Sequence, residues 1–258
     1  MQARVAKELL GEIMTQMEDY SALDAPPPPK KRGKCALWCV ALGKMFGCVD
    51  LELHEAVLAG SDKHMNATLE KVHQGKKSRR HFLNQYNREG ETPLSLAVKS
   101  KQMNMAFAIL GRKVDPDYAD TDTGRTPLFY ACTQGQLNLN ILLLTNGADP
   151  NYGDFNMATP IMMAARRDDV RTLKYIVNMK KRMDLDAQDR NGWSALHFAA
   201  SKNSSRAVKL LVDNGCDRQL KDANGRKALH IAQFKDYHDC IAYLEDTKSK
   251  LAFMDDED

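Results

Sequence analysis

The spacing of apolar residues predicts pairs of short helices. Between Asp122 and Asn151, one short apolar run begins at Thr126-Pro127-Leu128 and a second follows Gln134-Gly135. Proline is favoured in a first helical turn, where its missing N–H is not needed, and glycine suits the left-handed position beyond a helix C-terminus. The stretch therefore predicts a turn, a short helix, a second turn, a longer helix and a loop. Such a unit is too small to enclose a core by itself.

The same unit recurs along the chain at a nearly constant period. Its opening element is found, intact or altered, at Thr92-Pro93-Leu94, Thr126-Pro127-Leu128, Thr159-Pro160-Ile161, Ser194-Ala195-Leu196 and Lys227-Ala228-Leu229. Successive first residues are 33 to 35 positions apart. A fixed period of this size indicates a repeat architecture, in which each unit buries its apolar face against its neighbours.

Further residues within the period resemble the ankyrin repeat. A glycine lies two residues before the opening element in four units, at Gly90, Gly124, Gly192 and Gly225. His197 and His230 complete an LHxA pattern, and Gly147-Ala148-Asp149-Pro150-Asn151 resembles the family's GADxN loop. The resemblance covers roughly residues 50–247. It implies an all-α fold, an ankyrin-type α-solenoid of about six helix-turn-helix repeats with short β-hairpin loops.

The fourth repeat departs from this pattern. Met157 stands where the other units carry the turn glycine, and residues 179–183 lengthen the loop after its second helix. A side chain is unusual at a turn position of positive φ. The hairpin geometry of this repeat is therefore less predictable from the family than that of the others.

The pattern divides the chain into four parts. We predict that residues 1–34 form an N-terminal helix with a Pro-rich, basic linker, and that residues 35–86 form an apolar cap and a degenerate first repeat that keeps the LHxA skeleton at Leu53-His54-Glu55-Ala56. Residues 87–249 are the regular repeats, and residues 250–258 form an acidic tail.

The N-terminal part carries two candidate interaction signals. Residues 3–19 have an apolar stripe at four-residue steps, which predicts an amphipathic helix that docks on this chain's own repeats or on another protein. Pro26, Pro29 and Lys31 fit the PxxPx-basic pattern of SH3 ligands, and the basic run 30–34 fits nuclear import or an anionic surface. A solvated linker is the alternative for this run, as a solvated loop is for the basic residues at 76–81.

Cysteine usage and hydropathy indicate a compartment. The six cysteines lack the spacing of a disulfide framework or of a common zinc site, which predicts reduced thiols in the cytoplasm, with the nucleus as the alternative. The chain has no apolar run of about 20 residues and no signal-peptide pattern. Cys35 and Cys39 lie beside the basic run and are candidates for acylation; in the alternative, their apolar neighbours cap the first repeat.

Motifs for catalysis are missing from the sequence. It contains no GxxxxGK[ST], HExxH, GxSxG or CxxC, so we predict no enzyme activity, no cofactor and no metal. The resemblance implies a structural role for His197 and His230, whose imidazoles bond neighbouring loop backbone in this family. Asn151 resembles the Asn hydroxylated in some ankyrin repeats, and a loop amide that bonds nearby backbone is the alternative.

The resemblance also implies where a partner is bound. In the family, the turn tips and first helices line a concave face whose side chains select the partner. Mapped onto this chain, the candidate residues are Arg88, Glu91, Asp122, Arg125, Phe155, Arg166, Arg167, Arg190, Trp193 and Lys202. Trp193 and Phe155 stand out because this turn position is normally polar, although Trp193 packing on its own hairpin is the alternative.

These residues lead to a functional prediction. Arginines bind carboxylates through two parallel N–H groups, so the expected partner is an acidic segment of another protein. The chain is predicted to be a monomeric, non-catalytic adaptor or scaffold. The alternatives are an inhibitory subunit of an enzyme or transcription factor, and a membrane-proximal scaffold acylated at Cys35 and Cys39. A net charge of +3 does not indicate nucleic acid.

Overall fold

The computed structural model of the 258-residue chain describes residues 52–74, 83–178 and 183–245. Several predicted features lie outside these ranges: the helix at 3–19, the SH3-type and basic patterns up to residue 34, the cap with Cys35 and Cys39, the basic loop at 76–81, most of the loop at 179–183, and the acidic tail. Within the described ranges all regular elements are helices.

Twelve helices in the described part form six consecutive pairs. Their bounds are α1 Glu52–Ala59, α2 Asp62–Gln74, α3 Pro93–Lys99, α4 Met103–Leu110, α5 Pro127–Gln134, α6 Leu137–Thr145, α7 Pro160–Arg166, α8 Val170–Asn178, α9 Ala195–Ser201, α10 Ser205–Asp213, α11 Ala228–Phe234 and α12 His238–Leu244. The odd-numbered helices are the first helices of repeats 1 to 6, and the even-numbered ones are the second helices. The predicted all-α solenoid of six helix-turn-helix repeats is confirmed.

The first helices of repeats 2 to 4 begin at the recurrent Thr-Pro element, as the sequence predicts. Thr92 and Thr126 have extended backbones, and their Oγ1 atoms accept bonds from the N–H groups of Ser95 and Phe129 at 3.1 and 3.2 Å. The proline that follows sets the first turn without needing an N–H partner. Gly135 ends α5 with a φ of 70°, which is the left-handed conformation expected after a helix.

One apolar core runs through the array. The first helices contribute small residues such as Ala97, Ala131 and Ala164, all 0% exposed, which let neighbouring first helices approach closely. Between the two helix layers lie large side chains, among them Leu128 and Leu143, which are also fully buried. Because each repeat packs on the next, the core continues from repeat 1 to repeat 6.

The turn tips that precede the first helices are closed and stacked by hydrogen bonds. In the tip of repeat 4, Asp154 Oδ1 accepts the N–H groups of Asn156 and Ala158 at 2.9 and 3.0 Å. Successive tips are then joined, because Phe155 N–H donates to the Thr123 carbonyl and Arg190 N–H to that of Asn156. The predicted hairpin loops are thus tight turns, aligned in a row along one edge of the array.

Candidate protein-binding surface

The row of tips and the first helices form one surface, which we call the inner face. It consists of the tips at 87–91, 120–125, 154–158, 189–193 and 222–226 together with α3, α5, α7, α9 and α11. All ten residues predicted to bind a partner lie on or beside these elements. They differ in whether their polar groups already form hydrogen bonds or ion pairs within the chain.

Trp193 is a fixed aromatic group at the end of the tip of repeat 5. Its backbone N–H donates to Asp189 Oδ1 at 2.8 Å, and its ring centroid lies 5.2 Å from that of Phe198 in an edge-to-face arrangement. The ring is half-buried against α9 of its own repeat. The packing alternative therefore accounts for one part of the ring, and the rest faces solvent as a preorganised apolar anchor.

His197 holds the tip of the next repeat in position. Its Nδ1 accepts the Ser194 N–H at 3.2 Å, so Nε2 carries the proton and donates to the Arg226 carbonyl at 3.1 Å. Burial lowers the pKa of His197, although the bond to Arg226 opposes the shift. The predicted structural role of this imidazole is confirmed, and His54 makes the equivalent bond to the Glu91 carbonyl.

Phe155 lies along the row of tips. It is 43% exposed, and its ring covers Gly124 in the preceding tip, where an added Cβ would come within 2.4 Å of the ring carbon Cδ1. The ring therefore uses the space that the missing side chain of Gly124 leaves. This contact fixes a second aromatic group on the inner face, one repeat away from Trp193.

Five of the predicted cations are exposed on this face: Arg88, Arg166, Arg167, Arg190 and Lys202. The Arg167 guanidinium lies over Gly135 at the C-terminus of α5, because an added Cβ there would be 3.0 Å from its Nε. A cation at a helix C-terminus is favoured by the carbonyl groups that end there.

Four acidic residues of repeats 4 and 5 accept hydrogen bonds within the chain. Asp168 accepts the Arg206 Nε–H and the Ala207 N–H, both at 2.7 Å, and Asp169 accepts the Thr172 hydroxyl at 2.7 Å. Asp154 and Asp189 accept the N–H groups of their own tips. The guanidinium groups of Arg166 and Arg190 in this region are exposed, whereas these carboxylates already accept hydrogen bonds within the chain.

The side chains of two predicted binding residues, Glu91 and Arg125, already bond to other residues of the chain. Glu91 Oε1 accepts from Lys99 Nζ at 2.6 Å, and its Oε2 accepts from Asn87 at 3.2 Å. The Arg125 guanidinium lies 4.9 Å above the Phe129 ring, and its Nε donates to Asp154 at 3.4 Å. Both residues stabilise the repeats, which leaves them less able to bind a partner. Asp122 accepts the Thr121 hydroxyl at 3.1 Å and stays exposed.

A buried acid in the tip of repeat 3 was not predicted from the sequence. Asp120 is 4% exposed, and its Oδ2 accepts from Lys99 Nζ at 2.7 Å and from the Tyr130 hydroxyl at 2.6 Å. Burial disfavours the charge on Lys99, but the bonds to Asp120 and Glu91 outweigh it and raise its pKa. The sequence does show that this tip is one residue longer than that of repeat 4. Asp120 lies six positions before Thr126, whereas Asp154 lies five positions before Thr159.

The described residues include no group of three or more His, Cys, Asp or Glu able to hold a metal ion, and none of their helices is long and apolar enough to cross a membrane. Burial raises the pKa of Cys216 to about 12 and that of Cys240 to about 11, which keeps both as thiols at neutral pH. Asn151 Oδ1 accepts the Asp184 N–H at 2.9 Å, as in the structural alternative for this residue.

Comparisons with known proteins identify relatives of this architecture. A family model described as "Ankyrin repeats (3 copies)" matches residues 53–154 and 156–253. Among solved structures, the crystal structure of EF0377, an ankyrin repeat protein, superposes with a TM-score of 0.67 at 26% sequence identity, covering 75% of this chain and 96% of that chain. No curated protein matches the sequence.

Proposed function

Because this chain belongs to the ankyrin repeat family, whose repeats are generally protein-protein interaction modules, we propose that it is an adaptor for an acidic segment of a partner protein. The segment binds the inner face between repeats 3 and 5. The contacts come from two aromatic and three guanidinium side chains, namely Phe155, Trp193, Arg166, Arg167 and Arg190.

The proposal rests on which charged groups of the inner face are exposed and which already bond within the chain. Arg166 and Arg190 are exposed, whereas the carboxylates around them are already bonded within the chain. A partner carboxylate therefore meets guanidinium groups without competing with a neighbouring acid. The half-buried Trp193 supplies an apolar anchor beside them, and Trp and Arg are the residues most enriched at interface hot spots.

The rigidity of the repeats favours such binding. The tips are fixed before binding by backbone bonds such as that from Arg190 N–H to the Asn156 carbonyl at 2.8 Å. Little conformational entropy is lost on association when the binding groups are already ordered. The charged part of the interaction is exposed, so the affinity falls as salt rises above physiological strength, where screening acts over about 8 Å.

The same proposal covers the setting in which the chain acts. A monomer with free, buried cysteines such as Cys132 and Cys216 suits the reducing cytoplasm or nucleus. No turnover is expected from the chain, because its contribution is to position a partner rather than to transform a substrate.

The experiment is affinity purification from native cells with three forms of the full chain. Wild type is compared with Arg166→Glu plus Arg190→Glu on the inner face, and with Arg171→Glu plus Lys174→Glu on α8 as a control of equal charge change. We expect the inner-face variant to lose at least about 2 kcal/mol of binding free energy for the recovered partner, and the control to keep it. Equal binding by all three forms, with loss only when residues 1–49 are deleted, would place recognition in the N-terminal part instead.

A further inference from the structure

The second helices form an opposite surface, the outer face, whose exposed positions change character along the chain. In repeats 2 and 3 these positions are apolar or neutral. Phe107 is 65% exposed and Met103 37% exposed, on consecutive turns of α4, while Leu137 and Ile141 are half-buried at the equivalent positions of α6. Neither α4 nor α6 contains a charged residue.

In repeats 4 and 5 the position of Phe107 is cationic, occupied by Lys174 and Lys209, and a further cation, Arg171 or Arg206, stands at the position of Asn104. Arg171 and Lys174 on α8 are exposed, as are Arg206 and Lys209 on α10. Arg206 is partly neutralised, because its Nε donates to Asp168 at 2.7 Å, and Lys209 Nζ lies 5.6 Å from the Tyr243 ring centroid. An apolar patch of two repeats therefore adjoins a basic patch of two repeats on one face.

We propose that this outer face binds an anionic lipid surface. The Phe107 and Met103 side chains project from the helix and enter the boundary between headgroups and acyl chains, where apolar groups are favoured. The cations of α8 and α10 then meet the phosphate and carboxylate groups of the lipids. Each Lys or Arg near an anionic leaflet contributes about a fivefold increase in partitioning.

Charge complementarity and the rest of the sequence favour a lipid surface over a partner helix. The apolar patch on α4 and α6 carries no charge of either sign, both charges on α8 are positive, and α10 carries two cations and one acid, Asp213. The sequence also has a separate membrane-type signal in the basic run 30–34 next to Cys35 and Cys39. A single acyl chain holds a protein only reversibly, so stable attachment needs a second signal, which the outer face supplies. Partner binding on the inner face is independent of this attachment.

Vesicle co-sedimentation of the full, unacylated chain tests the proposal. The vesicles contain phosphatidylcholine alone or with about one third phosphatidylserine, an anionic fraction that gives a strongly negative surface. Met103→Ser with Phe107→Asn removes the apolar contacts without changing the charge, and Met103→Ser copies Ser205 at the equivalent position of repeat 5. Arg171→Gln with Lys174→Gln removes two charges from the outer face, and Arg190→Gln with Lys202→Gln removes two from the inner face as the control.

Wild type is expected to bind the phosphatidylserine vesicles. The charge variant of the outer face should bind at least about tenfold more weakly, the apolar variant should also bind more weakly, and the control should bind like wild type. Unchanged circular dichroism spectra of the variants exclude loss of fold as the cause. Equal losses in the two charge variants would show that the vesicle binding depends on net charge alone, and would overturn the proposal. Failure of wild type to bind either kind of vesicle would also overturn it, and would leave a protein as the ligand of this face.

Discussion

Gly124 and Met157 occupy the same position in adjacent tips, and both have a positive φ, of 69° and 64°. They differ in their surroundings. The Phe155 ring covers Gly124, whereas the tip of repeat 4 already accommodates the side chain of Met157. Substitution by valine adds backbone strain at both positions, since a β-branched residue is disfavoured at positive φ. Only at Gly124 does it also displace an aromatic ring.

Gly124→Val should therefore destabilise the chain by at least about 1 kcal/mol more than Met157→Val. The measurement is the urea midpoint of each variant relative to wild type. Equal shifts would mean that the repeat register, or the contact between Phe155 and Gly124, is wrong.

His197 makes stability depend on pH. Its folded pKa is lowered from 6.5, so the unfolded chain takes up a proton near pH 6.5 while the folded imidazole resists it. The contribution of His197 to stability is therefore complete above pH 6.5 and is lost as the pH falls through the folded pKa. The pKa of His54 is also lowered by burial, so it adds to the same trend.

His197→Met tests this origin, because Met162 occupies the equivalent position in repeat 4. The variant should be less stable than wild type at about pH 7.5, since the Arg226 carbonyl loses its donor, but it should lose less stability on acidification to about pH 5.5. Urea midpoints at the two pH values give the comparison. The same acid-induced loss in both proteins would assign the pH dependence to other groups.

Two helices and two tips are tied together by Lys99. Its ammonium group bonds Glu91 and Asp120 and lies 4.0 Å from the Tyr130 ring centroid, thereby joining repeats 2 and 3. The Asp120 side chain is only 4% exposed, so removal of the cation leaves a carboxylate with little access to water. Arg206 makes a salt bridge of similar length to Asp168, but 75% of its side chain is exposed.

Lys99→Met should cost about 3 kcal/mol of folding free energy, because breaking a largely buried pair strands its partner. Arg206→Met is the matched control and should cost no more than about 1 kcal/mol, as for other exposed pairs. Both values come from urea unfolding followed by circular dichroism. Similar costs for the two variants would show that Asp120 is not stranded when Lys99 is lost.

The elements show what a single sequence can reveal. The starts of the first helices were predictable, because the Thr-Pro signal acts within one helical turn and recurs at a fixed period. The bonds that engage the side chains of Glu91 and Arg125 were not predictable, since their partners Lys99 and Asp154 lie 8 and 29 residues away. For the same reason the sequence did not reveal the fully buried Asn140, whose amide donates to the Thr172 hydroxyl at 2.9 Å in the next repeat.

At the scale of the molecule, the candidate site could be predicted as a surface but not as a set of available groups. The period placed the tips on one side, and Arg166, Arg190 and Trp193 were identified by their positions in it. Which charges remain available depends on hydrogen bonds between side chains of different repeats, which a local pattern does not encode. The character of the outer face was not predicted from the sequence, because the lack of charge on α4 and α6 does not show which of their apolar residues are exposed.

The repeats also determine how a partner can be held. Each tip is bonded to the next, from the Gly90 carbonyl to the Ala223 N–H, so the inner face changes shape only if several tips move together. A bound segment that contacts repeats 3 to 5 should therefore stabilise a contiguous part of the array. Protection of backbone amides from exchange reports such local stabilisation.

Hydrogen–deuterium exchange of the full chain, with and without the purified partner, tests the central claim most directly. The account predicts slower exchange on binding in the tips at 154–158 and 189–193, and little change in the tip at 87–91 or in α4. Trp193→Ala should remove this protection while leaving the exchange of the free chain nearly unchanged elsewhere. Protection confined to residues 1–51 or to the second helices would contradict the claim that the inner face binds the partner.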